Sequence, residues 1–388
     1  MTSPALLVAA LLIAAPLQAQ IGSSIKADER VVLFDTAAWL DEEAGVWHVP
    51  VAGWIFEPEE DSTTREVLMR EFADVLDLPE DSIDQEIYRR RARAFFVDNE
   101  RGKRTPVRVG SGVAARWVRP GRSGRDGHFT GELLLHPADA AGLLAEADRN
   151  GGWIPTATQP RRGDGEVFTG QVQVLPPEGG LLISDIDDTI KISEVRDRQA
   201  LLERTFLRAF EPTPSLASMY RFMATDDTFA IAYVSSSPVQ LVEPITAFLE
   251  EHDLPRGEMH LRPFRWKDSS FFNLLASSME TKPPVIEALL ERWPRRKVVL
   301  VGDSGEHDPE IYGEIARAHP DQVFFIMIRD VTGEDPEGER YLKAFADLPD
   351  WRCVVLTDAD LANAAQMMEY AAERRSVTDP PSSRIQGD

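Results

Sequence analysis

From about residue 180 onward, short apolar runs alternate with stretches of helical periodicity. The runs are Leu181–Ser184, Phe229–Val234, Glu258–Arg262, Val298–Val301, Val323–Ile328 and Cys353–Leu356. Most are near-continuously apolar rather than alternating, as expected of strands buried on both faces. Helical spacing predicts helices at Val242–Glu251, Pro284–Arg292, Pro309–Ala318 and Ala359–Glu373. Such alternation implies an α/β domain, with a mostly parallel sheet covered by helices on both faces. Strand order is left open by the pattern.

The upstream texture is different. Val31–Phe34, Val46–Phe56, Pro106–Val109, His128–His136, Trp153–Thr158 and Glu166–Val174 read as short strands. Gly- and Arg-rich turns separate them. Residues 63–77 and Ile87–Phe96 carry helical periodicity instead. A smaller β-rich domain, a sandwich or barrel with a helical insertion, is therefore predicted over residues 28–176, followed by the α/β domain over 177–375. The cluster Arg89-Arg90-Arg91-Ala92-Arg93 is either a solvated helix face or a contact for phosphate head groups. Gly110–Ala115 fits a dinucleotide fingerprint and follows a strand. Pro120 ends the helix it should open, so the match is set aside.

Residues 4–17 form an uncharged apolar run broken at Pro16, too short for a comfortable spanning helix. A signal peptide over residues 1–19, cleaved after Ala19, is expected, and with it a periplasmic or secreted protein. A retained anchor is the alternative, because no Lys or Arg precedes the run. Ser376–Asp388 is expected to be a disordered tail. The net charge of −23, from 65 acidic against 42 basic residues, argues against nucleic acid or an anionic membrane as a partner of the whole surface. Cys353 is the single cysteine, so no intrachain disulfide can form. Its apolar neighbours predict a buried thiol.

Candidate chemistry sits where the apolar runs end. Asp185, Asp187 and Asp188 follow Leu181–Ser184 directly, at the strand end where open α/β sheets place ligands. Carboxylates this close repel one another and are costly to desolvate, which a hard divalent cation such as Mg²⁺ would relieve. Ser235-Ser236-Ser237-Pro238 ends the second run, with hydroxyls and turn amides suited to phosphate oxygens. Lys282 stands where a helix is expected to begin. Gly302-Asp303-Ser304-Gly305-Glu306-His307-Asp308 ends a further run and brings a second acidic pair, Asp303 and Asp308, before Pro309 opens a helix. The first four of these residues also fit the Ser region of a trypsin-like protease. The β-barrel context, the disulfides and a partner His for that reading are missing. No Walker A loop, zincin motif or zinc-type Cys cluster occurs.

Taken in order, these signals resemble the four motifs of the haloacid dehalogenase superfamily of phosphotransferases. Asp185–Thr189 matches the first, Ser235 the second, Lys282 the third, and Gly302-Asp303 with Asp308 the fourth. More narrowly, Ser184–Lys191, Tyr233–Pro238, His260–Arg262 and Val301–Tyr312 are similar to the catalytic domain of the actin-patch type of phosphatidate phosphatase. The similarity spans about residues 165–332. It implies a Rossmann-like parallel sheet and a Mg²⁺-dependent phosphatase acting on phosphatidate or a related lipid phosphate. It also implies Asp185 as the nucleophile of an aspartyl-phosphate pathway and Asp187 as acid and base. Ser235 and Lys282 would then bind phosphate, and Thr189 would orient the loop. Mg²⁺ is expected on Asp185, Asp303 and the Asp187 backbone carbonyl, with Asp308 bound directly or through water. A soluble or protein-linked phosphomonoester, or a non-catalytic phospholipid-binding module, remain the alternatives. Phe264-Arg265-Trp266-Lys267 and Phe271-Phe272 either make peripheral membrane contact or pack within the domain.

Overall fold

A computed structural model of the chain describes residues 23–58, 63–79, 81–82, 85–160, 166–225, 229–263 and 278–363. The expected signal peptide, the aromatic segments at 264–267 and 271–272, most of the helix expected at Ala359–Glu373, and the tail lie outside the described residues.

The first nine strands are β1 (Arg30–Phe34), β2 (Thr36–Asp41), β3 (Val46–Glu57), β4 (Asp98–Asn99), β5 (Val107–Val109), β6 (Arg116–Val118), β7 (His128–Leu135), β8 (Trp153–Thr158) and β9 (Phe168–Val174). They form one mixed network in the order β1-β3-β2-β9-β8-β5-β6, with β4 and β7 also pairing with β3. Long β3 runs antiparallel to β1, β2 and β7, whereas β2 and β9 are parallel. The network curls, bringing β1 onto β9. A Cβ on Gly170 would lie 2.8 Å from Leu33 Cβ, so only glycine allows that approach. Valines of β1, β3, β5, β6 and β9 fill the space inside, with Ile55, Phe129 and Ile154. The helix Pro137–Arg149, opened by its own proline, closes one side through Ala140, Leu143 and Ala147.

All six apolar runs of the second part are strands: β10 (Gly180–Ser184), β11 (Phe229–Pro238), β12 (Glu258–Arg262), β13 (Lys297–Asp303), β14 (Val323–Arg329) and β15 (Cys353–Leu356). They are parallel throughout, in the order β12-β11-β10-β13-β14-β15. Successive side chains point to opposite faces. Leu181 and Ile183 enter one core with the helices Ser278–Arg292 and Asp308–Ala318, while Leu182 enters another. That second core holds the helices Arg198–Phe206, Pro214–Met223 and Val242–Glu251.

The helices Thr63–Val75 and Glu86–Arg93 leave the first sheet after β3. Their Met69, Phe72, Tyr88 and Ala92 join the core of the second sheet, beside Leu182, Ile186 and Phe206. Each large apolar side chain buried there contributes roughly 2 kcal/mol. The insertion therefore follows β3 in the chain but packs with the parallel sheet.

Two sequence expectations change in detail. The helix carrying Lys282 begins at Ser278, not at Pro284, and both Pro283 and Pro284 lie inside it. Proline reads as a start signal because its missing N–H is harmless in a first turn, and here the signal points a turn too late. Cys353 is half-buried rather than buried, although its surroundings push the thiol up to about 11 through desolvation.

Candidate active site

Strand β10 ends at Ser184, and Asp185 hangs from it by donating its N–H to the Val301 carbonyl of β13 at 2.9 Å. The chain then turns sharply. Asp188 takes a left-handed conformation (φ 53°), unusual outside glycine, and its carboxylate accepts the N–H groups of Ser193, Glu194 and Val195 at 2.6–2.8 Å. Asp188 is thus the loop's organiser. Its carbonyl accepts from Arg329 at 2.6 Å, and Arg329 in turn pairs with Asp358.

The strand ends bring Asp185, Asp303 and Asp308 together, all three buried. One carboxylate oxygen from each lies within 4.8 Å of the others. Asp308 starts a helix, so its charge faces the positive end of that helix dipole. Gly302 is required for this approach, because a Cβ there would sit 2.2 Å from Asp308 Oδ2. Lys282, fully buried, donates to Asp308 and lies 3.1 Å from Asp185 Oδ1 and 3.4 Å from Glu306. Burial opposes the ammonium, but Asp185 and Asp308 more than offset it and raise its proton affinity well above the ordinary lysine range.

One ammonium does not neutralise so many carboxyls. Burial drives Asp185 well above the usual carboxylate range, and Asp308 and Asp303 add to that against Lys282. Asp303 is raised by burial and by Asp308. Its Oδ1 accepts from the Gly305 N–H at 2.6 Å, but its buried Oδ2 has no hydrogen-bond partner among the described residues. Three converging buried carboxylates, one with an unsatisfied oxygen, fit a hard divalent cation.

Asp187 faces elsewhere. Its Oδ1 accepts from Lys191 Nζ at 2.6 Å and Ser193 Oγ at 2.7 Å. Its Oδ2 accepts from Ser237 Oγ at 2.6 Å and Ser235 Oγ at 3.3 Å. Burial would raise its pKa, but Lys191, Ser237 and Ser193 outweigh it and hold Asp187 at about 2. The side chain of Asp187 is thus outside the carboxylate trio. Thr189, assigned to loop orientation, is buried and donates to Asp185 Oδ2 at 3.3 Å.

All seven residues picked from the sequence converge here. Lys191, Ser193 and Ser237 were overlooked as partners of Asp187, and Glu306 as a partner of Lys282. The one local signal for Lys191 is its position four residues after Asp187. The cleft above the carboxylates is lined by Asp185, Asp187, Ser235 and Glu306, with Leu201 and Leu202 completing an apolar side. A larger groove of about 360 Å³ between β1, β9 and the helix Val242–Glu251 holds none of these groups. Arg89, Arg90 and Arg93 are exposed, whereas Arg91 is buried, so the basic cluster is only partly a solvated face. No helix among the described residues is long and apolar enough to cross a membrane.

Residues 181–330 match the family model described as the catalytic domain of phosphatidate phosphatase APP1. The chain is 33% identical over 174 residues to phosphatidate phosphatase APP1 of Saccharomyces cerevisiae, an overlap of 42% of this chain and 29% of that protein. It is 30% identical over 173 residues to an uncharacterised protein of Schizosaccharomyces pombe, covering 44% and 28% respectively. The chain thus spans less than a third of the length of these relatives. The family expected from the strand-end motifs is the one that the segment matches.

Proposed function

We propose that this chain, through the segment matching the APP1 catalytic domain, is a phosphoric monoester hydrolase of the haloacid dehalogenase type acting on phosphatidate or a related lipid phosphate. The observation that carries the reading is the pair Asp185 and Asp187. Two carboxylates two residues apart occupy separate networks, one beside Lys282 and two further acids, the other on Lys191 and serine hydroxyls. Separate surroundings allow separate roles, and a cation held by Asp185, Asp303 and Asp308 would keep Asp185 ionised as the nucleophile despite its burial.

Asp185 attacks phosphorus, the bond to the leaving oxygen breaks, and an aspartyl-phosphate forms. Asp187 gives its proton to the leaving alkoxide. It rests as a carboxylate, so an incoming ester must raise its proton affinity, and the negative charge of the phosphate does so at close range. Asp187 then takes a proton from water as that water attacks phosphorus, freeing Asp185 and inorganic phosphate. Lys282 and the Ser235 hydroxyl offset charge on the transferring group. Asp185, Asp303 and Asp308 would hold Mg²⁺, with the Asp187 carbonyl as the expected fourth protein ligand. When bound, the ion supplies charge neutralisation for the carboxylates and the phosphate.

The β-rich part over 28–176, the phosphatase part over 177–375, the exported location and a peripheral membrane contact belong to the same proposal. Phosphate release from phosphatidate in detergent micelles, and from a panel of soluble phosphomonoesters, tests it with Mg²⁺ or EDTA present. Release from phosphatidate that EDTA abolishes supports the reading. Release from soluble esters alone keeps the chemistry and removes the lipid. Lipid binding without release from any ester replaces the enzyme with a binding module.

A further inference from the structure

The helix Arg198–Phe206 forms the apolar side of the cleft, where Leu201, Leu202 and Thr205 line it together with Asp185 and Asp187. Its own Asp197 caps the start by accepting the Gln199 and Ala200 N–H groups. The opposite end is held by residues more than a hundred positions earlier in the chain. Arg91 is 4% exposed and donates through Nη1 to the carbonyls of Arg204 (3.3 Å), Thr205 (2.5 Å) and Arg208 (2.9 Å). These are the orphan acceptors of a helix C-terminus, where a cation is favoured. The guanidinium also lies 3.6 Å from the Phe210 ring centroid.

The helical hairpin of Thr63–Val75 and Glu86–Arg93, with the residues that follow each helix, grips Arg198–Phe206 elsewhere too. Gln199 Nε2 donates to the Asp77 carbonyl at 2.8 Å. Phe206 meets Phe72 edge-on at 5.3 Å and Phe95 at 5.6 Å. Arg91 is an expensive choice for simple packing. Its partners among the described residues are three carbonyls and a ring, with no carboxylate, and its buried Nε has none. Burying a cation without a counter-charge is costly. Its neighbours on the same buried stripe, Tyr88, Ala92 and Phe95, are apolar or aromatic. Thr205 links the two facts, since it both lines the cleft and accepts the shortest of the three bonds.

We propose that the hairpin Thr63–Arg93 is a working part of the reaction cleft, with Arg91 as the positioning residue that fixes the wall met by the group esterified to the phosphate. The inference rests on the phosphatase reading and adds to it a segment outside the matched residues 181–330. Small esters that occupy only the carboxylate end should be indifferent to that wall. Bulky lipid esters should feel it.

The test uses the full chain with Arg91→Met, which keeps the aliphatic reach but removes the donors, and Arg91→Lys, which keeps the charge. With phosphatidate in detergent micelles, Arg91→Met should raise KM about tenfold or more. With p-nitrophenyl phosphate, kcat/KM should stay within about threefold of the wild type. Arg91→Lys should fall between the two for the lipid alone. Equal losses on both esters, or no loss on either, overturn the proposal. Should Arg91→Met fold poorly, Gln199→Leu at the exposed grip provides the same comparison, with a lipid-only loss of about two- to threefold expected; equal or absent loss again counts against the idea. Amide exchange at residues 201–208 gives a readout independent of activity. It should quicken in Arg91→Met while β10 and β13 keep their protection, and unchanged exchange contradicts the inference. A wild type that releases phosphate from neither ester defeats the functional reading, and the exchange result then decides the positioning claim alone.

Discussion

Asp185 and Asp187 are neighbours on one loop yet stand in opposite electrostatic states. Burial and two further carboxyls raise the first, whereas Lys191 and serine hydroxyls hold the second down at about 2. On this account Asp185→Asn eliminates turnover, and Asp187→Asn lowers kcat by about 10²–10⁴-fold, as measured by phosphate release under saturating substrate. Lys282→Met removes the one ammonium that the described residues place among Asp185, Glu306 and Asp308. In EDTA it should cost about 3 kcal/mol of stability by urea unfolding, because it leaves buried carboxyls without their counter-charge. Mg²⁺ should recover part of that loss. The acids were legible because chemistry this unfavourable at a strand end demands a reason. Lys191 and Ser237 were not, since their contacts depend on how the loop folds back. Arg91 was hidden inside a run of arginines. The spacing of Tyr88, Arg91, Ala92 and Phe95 at i, i+3, i+4 and i+7 was the signal that one of them faces inward.

At the scale of elements, β12 is tied to the helix Ser278–Arg292 by Glu258, whose carboxylate meets Arg292 Nη1 at 2.8 and 2.9 Å and His260 at 3.1 Å. Burial opposes ionisation, but His260 and Arg292 bring Glu258 from 4.5 down to about 2. The folded value lies below the unfolded one, so the stabilisation is complete above pH 4.5 and is lost as pH falls toward 2. The shift corresponds to about 3 kcal/mol. Urea unfolding of Glu258→Gln and wild type should differ by an amount of that order at pH 6 and by less than half of it at pH 3. A gap as wide at pH 3 as at pH 6 contradicts the assignment. The six parallel strands could be read from sequence because both faces of most are buried, which leaves apolar runs with no polar interruption. The helix Pro137–Arg149 and β2 escaped notice. Alanine fills much of both, and alanine gives little contrast between a buried and a solvated face.

For the whole molecule, chain order and packing disagree. The hairpin Thr63–Arg93 follows β3 of the first sheet, yet Met69, Phe72 and Tyr88 are buried with Leu182 and Phe206 of the second. Sequence periodicity identified both helices but carries no information about which sheet they cover. Further ties cross between the halves: Arg256 donates to Asp35 at 2.9 and 3.1 Å, and Arg296 donates to the Pro176 carbonyl at 2.8 and 3.1 Å. A chain restricted to residues 177–375 therefore lacks part of its own core. It should show weak near-ultraviolet circular dichroism and no cooperative thermal transition, while the full chain unfolds cooperatively. A sharp transition in the truncated chain contradicts the packing argument.

In the proposed mechanism Asp185 carries the phosphoryl group between substrate and water. The most direct measurement is an acid quench of the full-length protein during its first turnovers of phosphatidate labelled at phosphorus, followed by mapping of protein-bound label. Hydroxylamine-sensitive label is expected on the peptide containing Asp185 and is expected to be absent from Asp185→Asn. Phosphate release with no label on the protein, or label on another residue, contradicts it.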